Sequence, residues 1–219
     1  VGVAFEGTAL AGAKVVGMPI RAEIESAISQ VNRQAARLHF GLDPQLPTLL
    51  VTGGSLGAKR INEQVAAAYA ALDAAGVQVL HIVGGNSELE ELKSPLLTRI
   101  KYCDRMDLAI SAANLAIARS GSSTVSEFGA FGLPTVFVPY PVGNGEQRFN
   151  AAHLVKAGAA ILVDDAKFDA AFVRDQVIPL ISNTKKLKEM SASAKAASIA
   201  DGTSRLYRMV QGVLPKKGE

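Results

Sequence analysis

The chain has no tryptophan, a single cysteine (Cys103) and three scattered histidines in 219 residues. A lone cysteine excludes an internal disulfide and a thiolate metal cluster, and it favours a reducing compartment. His39, His81 and His153 have no partners at metal-ligand spacing, and no Asp-x-Asp pair follows a core strand. Packing or solvent roles are therefore expected for the histidines, and no metal or other cofactor is expected. Aromatic residues are only 5% of the chain and the net charge of +3 is dispersed. Neither a stacking platform nor a basic stripe for nucleic acid can be drawn. No apolar run approaches the ~20 residues of a membrane-spanning helix and no signal peptide is visible, so a membrane relationship would have to be peripheral. No Ser-His-Asp set or nucleophile elbow is present.

What is there is alternation. Apolar strand-like runs at Thr48–Thr52, Val77–Val83, Arg99–Cys103, Leu115–Ala118, Thr135–Val138 and Ala160–Val163 are separated by helix-like runs. That pattern predicts an α/β fold, a doubly wound parallel sheet of Rossmann-like type. Lys14–Gly17 reads as a short strand, and Ile24, Ile28, Val31, Ala35 and Leu38 predict one amphipathic helix over Ala22–His39. Gly41–Pro47 reads as a linker. The expected division is a junction strand, helix and linker over 1–47, then a ligand-binding domain over 48–219 ending in a helical tail. The tail helices are placed at Phe168–Leu180, Thr184–Ala197 and Asp201–Val213, with Asp201 as N-cap. The chain opens on a strand-like Val-Gly-Val-Ala-Phe without an initiator Met, and is expected to be a piece of a longer protein.

Ligands on such sheets bind where strands end and helices begin. Three polar junctions fall there. Thr52-Gly53-Gly54-Ser55-Leu56-Gly57-Ala58 follows a strand and opens a helix, with small residues that let the backbone approach a phosphate. It has neither the Lys of a P-loop nor the spacing of a dinucleotide fingerprint. Ser122, Ser123 and Thr124 open the next such helix with hydroxyls beside unpaired backbone N–H groups, which suits an anion. Glu127 lies one turn on, on the same face, where a carboxylate can accept from vicinal sugar hydroxyls. In the third junction Glu146, Gln147 and Asn150 fall on one side of a helix and can read hydroxyls. Phosphate donors beside a carboxylate indicate a nucleotide sugar. The plainer readings are a tight glycine turn, a capped helix and a Pro/Gly-rich loop, with Arg119 a structural ion-pair partner and Cys103 a small buried residue.

Together these three segments, with Gly17-Met18-Pro19-Ile20-Arg21, resemble the MurG family of UDP-N-acetylglucosamine:undecaprenyl-pyrophosphoryl-muramoyl-pentapeptide N-acetylglucosaminyltransferases, over nearly the whole chain. The resemblance implies the C-terminal, donor-binding half of a GT-B glycosyltransferase of peptidoglycan synthesis, inverting and metal-independent, peripheral on the cytoplasmic face of the bacterial plasma membrane. It also implies site roles. Gly54 and Ser55 sit by the diphosphate, and Cys103 and its neighbours meet the uracil through backbone groups. Ser122, Ser123 and Thr124 line the phosphates, Glu127 the ribose, and Glu146, Gln147 and Asn150 the sugar. Arg21 and Met106 complete the pocket. The lipid-linked acceptor and the catalytic base belong to the family's N-terminal domain, so no catalytic residue is expected here. Departures are Ser122-Ser123 where the family often has Ala-Leu, Glu146 for Gln, and Met18 for Asn. The rival readings are another UDP-sugar enzyme of this fold, an epimerase or lipid-disaccharide synthase, or a non-catalytic nucleotide-binding module.

Overall fold

The structure is a computed structural model that describes residues 1–8, 10–89, 92 and 94–214. The final residues 215–219 of the expected second domain lie outside the described residues. Two short strands, β1 (Gly2–Val3) and β2 (Lys14–Val15), pair in parallel. Six more strands form the main sheet: β3 (Thr48–Thr52), β4 (Gln78–Ile82), β5 (Leu97–Ile100), β6 (Leu115–Ala118), β7 (Thr135–Phe137) and β8 (Ala160–Leu162). Their order is β5-β4-β3-β6-β7-β8, all parallel, which is the doubly wound order with its switch point between β3 and β6.

Every residue of β3 and β4 is buried, as a parallel strand covered on both faces requires. Side-chain alternation divides the core. Leu50, Leu80, Ala116 and Phe137 face one layer, built from helices α1 (Ala22–Ile28), α2 (Arg33–His39), α5 (Met106–Ala112), α6 (Ser122–Phe131) and α7 (Glu146–Lys156). Leu49, Val51, Val79, Ile117 and Val136 face the other, built from α3 (Lys59–Ala67), α4 (Tyr69–Ala74) and tail residues including Phe168, Val177 and Ile181. Ile61, Val65, Ala68 and Leu72, at helical spacing along α3 and α4, lie wholly in that second layer.

Four expectations are corrected. The single helix over Ala22–His39 is two, because Asn32 adopts an extended conformation and its side chain caps α2 by accepting from Ala35 N at 3.0 Å. The segment Phe168–Leu180 is not one regular helix. Asp169 caps a short turn, the backbone widens over Val173–Val177, and Ile178–Ser182 follows, with Pro179 removing one donor from the ladder. Asp201 sits at the N-cap position of the last helix but does not cap it. Its carboxylate accepts from Arg205 Nε at 2.8 Å instead. One strand also shifts: β5 runs Leu97–Ile100, leaving 101–103 as loop.

A buried polar chain crosses the second layer. Asn62 Nδ2 donates to Val83 O at 2.8 Å, so its Oδ1 accepts from His81 Nε2 at 3.0 Å, and His81 Nδ1 accepts from the Tyr69 hydroxyl. Burial, reinforced by the charge of Arg99, pushes His81 down to about 3, and burial pushes Tyr69 up to about 12. Neutral His81 satisfies both neighbours, whereas a protonated ring would carry a buried charge and reverse the Tyr69 bond, leaving the phenol hydrogen without its acceptor. An unfolded histidine titrates near ~6.5, so this stability is complete above that pH and is lost as pH falls toward 3. The melting temperature is expected to drop steeply between pH 6.5 and 4. His81→Gln should melt lower at pH 7.5 yet show a shallower slope across that window. Equal slopes for the two proteins would assign the acid sensitivity to other groups.

Candidate functional site

The carboxyl edge of the sheet is shaped first by backbone packing. A Cβ on Gly53 would meet Ala58 N at 2.3 Å, and one on Gly57 would meet Val83 O at 2.2 Å. Gly84 presses against Gly57 in return, with 2.1 Å from its hypothetical Cβ to Gly57 N, and both glycines have positive φ. The turns after β3 and β4 therefore interlock through atoms no side chain could replace. Gly54 also has positive φ, +89°, but faces open space, and its N–H donates to Thr52 Oγ1 at 3.3 Å. The tight-turn reading thus holds for Gly53 and Gly57, while Gly54 of the same loop is free of such contacts.

In front of this turn lies a cleft of about 350 Å³. The end of β3 and the loop after it bring Thr52, Gly54 and Ser55 to it, the β5–α5 loop brings Cys103, α5 brings Met106, and α6 brings Ser123, Thr124 and Glu127. Pro19 and Arg21 close it from the segment before α1. Helix α6 has an extended Gly121 at its N-cap and no side-chain cap, so the first-turn N–H groups beside Ser123 and Thr124 have no intrahelical partner. They carry the positive end of the helix dipole into the cleft.

Glu127 is buried, and both its oxygens are held by Arg21: Nε donates to Oε1 at 3.0 Å and Nη2 to Oε2 at 2.9 Å. The bond to Glu127 raises Arg21 above its ordinary value. Such a fork uses one lone pair on each carboxylate oxygen and leaves one on each for a ligand hydroxyl. Cys103 is buried, which pushes its thiol up, so it stays protonated and contributes shape to the wall. Beside it, Arg105 grips Asp107 through two bonds, at 2.9 and 2.7 Å, and holds that carboxyl below the usual range.

Four of the expected residues do not line this cleft. Ser122 is the first residue of α6, at its margin. Glu146, Gln147 and Asn150 lie in the first two turns of α7, behind the exposed β7–α7 loop on the neighbouring part of the same edge. There Gln147 Oε1 accepts from Tyr140 N at 3.0 Å, and Asn150 Nδ2 donates to Ser120 O at 3.1 Å, tying this loop to the one before α6. Arg119 is structural as expected. One nitrogen, Nη1, donates to Val138 O, Pro139 O and Asp165 Oδ1. Lys101 and Tyr102 also line the cleft and were missed, because the strand reading placed them inside β5. The Lys-Tyr pair directly before Cys103 was the signal available. Among the described residues no group of His, Cys, Asp or Glu could hold a metal ion, and no helix is long and apolar enough to cross a membrane.

A doubly wound sheet whose carboxyl edge offers an uncapped helix start, a glycine turn and a buried carboxylate places the chain in the class of α/β domains with a ligand-sized cleft at the topological switch point. The match to known families narrows it. Residues 48–206 match the model of the glycosyltransferase family 28 C-terminal domain, and the chain belongs to that family. It is 50% identical over 211 residues to the UDP-N-acetylglucosamine--N-acetylmuramyl-(pentapeptide) pyrophosphoryl-undecaprenol N-acetylglucosamine transferase of Leifsonia xyli subsp. xyli (strain CTCB07), covering 96% of this chain and 59% of the relative. It is 45% identical to the enzyme of the same name from Paenarthrobacter aurescens (strain TC1), covering 96% and 58%. The crystal structure of Acinetobacter baumannii MurG superposes with a TM-score of 0.75 at 26% identity, over 97% of this chain and 60% of that one. The glycotransferase of kitacinnamycin, at 20% identity and TM-score 0.66, shares the fold. These neighbours bear out the expected GT-B architecture and the kinship with MurG. The chain spans a little under three-fifths of the curated relatives it matches.

The Arg21–Glu127 fork predicts a measurable coupling. Arg21→Ala strands a buried carboxylate, and Glu127→Gln puts an amide against the guanidinium. A double-mutant cycle on unfolding free energy should give a coupling of about 1–2 kcal/mol, below the fully buried range because Arg21 is half exposed. Additive effects would mean the pair adds nothing to the fold.

Proposed function

We propose that this chain is the donor-binding half of an enzyme that moves N-acetylglucosamine from UDP-N-acetylglucosamine to the C4 hydroxyl of a lipid-linked muramoyl-pentapeptide. The observation that carries this reading is the convergence, in one cleft, of Gly54 and Ser55, the uncapped start of α6 with Ser123 and Thr124, and the Arg21–Glu127 fork. The diphosphate lies against the α6 start and Ser55. The uracil lies by Cys103 and Met106, with Tyr102 at the rim. The free lone pairs of Glu127 take the ribose hydroxyls. Glu146, Gln147 and Asn150 reach the sugar from the start of α7, Gln147 through its unshared Nε2.

The acceptor hydroxyl attacks the anomeric carbon from the face opposite the diphosphate, the C–O bond to the diphosphate breaks, and UDP leaves with inversion. What this chain supplies is stabilisation of the charge that builds on the departing diphosphate, through fixed N–H groups, hydroxyls and the cation of Lys101. Dipoles fixed in place need no reorganisation at the moment of bond breaking, which makes them worth more than solvent. The base that takes the acceptor proton and the surface that meets the lipid belong to the partner half, and the whole enzyme works at the cytoplasmic membrane face as a peripheral protein. By itself this chain binds donor weakly and transfers nothing.

Calorimetric titration with UDP, UDP-N-acetylglucosamine and NAD tests the assignment. Both uridine ligands should bind and NAD should not. Glu127→Ala should weaken UDP by about tenfold, the loss of hydrogen bonds to a charged acceptor. Gln147→Ala should weaken UDP-N-acetylglucosamine several-fold and leave UDP unchanged. Uridine affinity insensitive to Glu127 would overturn the ribose role, and sugar affinity insensitive to Gln147 would overturn the sugar role.

A further inference from the structure

A second hollow, of about 650 Å³, lies at the opposite edge of the sheet. Pro47, Asn114 and Pro134, each just before a strand, form its floor, so it is separated from the donor cleft by the length of the strands, roughly 15 Å. Four cationic residues line it, Arg33, Arg37, Lys188 and Lys195, and no Asp or Glu does. None of the four makes a salt bridge among the described residues.

Arg37 is the unusual member. It is 4% exposed, and its three hydrogen bonds go to neutral oxygens: Ala112 O at 3.0 Å, Pro44 O at 2.8 Å and Asn114 Oδ1. Burial, then the charge of Arg33, pull it below the ordinary arginine value, with Asp43 acting against them from outside the hollow. A buried cation whose hydrogen bonds all go to neutral oxygens, with Asp43 the opposing charge but not bonded to it, is costly, and an anion in the hollow would offset it. Lys195 is an exposed residue whose stem packs against the chain. Its stem crosses Gly132, where a Cβ would meet Lys195 Cε at 2.6 Å and Cγ at 2.7 Å, and Gly132 has φ +73°. Ser191 and Thr184 add hydroxyls, and Thr184 opens a 14-residue helix whose dipole is positive at this end.

We propose that this hollow is a second anion site, taking a phosphate-bearing ligand at the sheet edge away from the donor. One buried and three exposed cations with hydroxyls between them match the multiple oxygens and charges of a phosphate or diphosphate. No aromatic residue lines it, so it offers a nucleobase nothing to stack on. The phosphate can come from a soluble molecule or from a lipid headgroup at a membrane surface.

The test uses the full chain saturated with UDP, so that the donor cleft is occupied. Inorganic diphosphate is titrated by calorimetry, and co-sedimentation is measured with phosphatidylglycerol/phosphatidylcholine vesicles against phosphatidylcholine alone. The variant carries Arg33→Gln, Lys188→Gln and Lys195→Gln, leaving the structural Arg37 untouched. A control with the same charge loss carries Lys14→Gln, Lys59→Gln and Lys167→Gln. Binding of diphosphate, of the anionic vesicles or of both is expected, weakened at least about tenfold in the variant but not in the control, with UDP affinity unchanged in each. Diphosphate binding alone assigns a soluble ligand, and vesicle binding alone assigns a headgroup. The proposal is overturned if neither probe binds, if the control loses as much as the variant, or if the variant loses UDP binding in parallel.

Discussion

The strand Thr48–Thr52 is the constraint around which the molecule is arranged. It is paired on both sides, to β4 and β6, and every one of its residues is buried. A strand so placed must be apolar on both faces and needs a helical layer on each. Because all its neighbours run parallel to it, every strand-to-helix turn emerges on one edge. The turn that follows it, locked backbone to backbone against Gly84, lies behind the cleft at that edge. Fold and site are therefore one argument: the geometry that satisfies the sheet's hydrogen bonds also gathers the polar turns.

That coupling explains how much could be read in advance. Thr48–Thr52 was legible to the residue because an unbroken apolar run sits between Pro47 and Gly53, two residues that cannot extend it. β5 was misplaced because it lies at the sheet edge and is only half buried, so Leu97-Thr98-Arg99-Ile100 carries a weaker pattern than the residues after it. The break between α1 and α2 was hidden because apolar spacing continues across it, while the deciding fact is one side-chain oxygen of Asn32 on one N–H. The gathering of Ser55, Cys103, Thr124 and Glu127 followed from their places at strand ends. That Arg21 already occupies the carboxylate of Glu127, and that Asn62, Tyr69 and His81 form one chain, rests on contacts between residues far apart in sequence, for which periodicity carries no signal.

The two edges of the sheet are electrically distinct in a way composition conceals. At the carboxyl edge positive character comes mostly from backbone N–H groups and is balanced locally, each nearby arginine having a carboxylate: Arg21 with Glu127, Arg105 with Asp107, Arg119 with Asp165. At the amino edge the cations are side chains and are left unbalanced. A net charge of +3 averages over both. Fixed dipoles beside paired charges suit a site where charge must build and disperse, whereas unpaired side-chain cations suit standing attraction.

The fork between Arg21 and Glu127 also bears on what counts as a transferable unit in this family. The stretch shared as a recognisable family domain begins at residue 48, yet one wall of the cleft is contributed from residue 21, 106 positions away from its partner. Exchanging the sheet between relatives at the apparent domain boundary would carry over the carboxylate and leave its cation behind. A chimera meant to inherit a donor preference has to take the short Pro19–Arg21 segment along with the sheet, so the inheritable module is discontinuous in sequence.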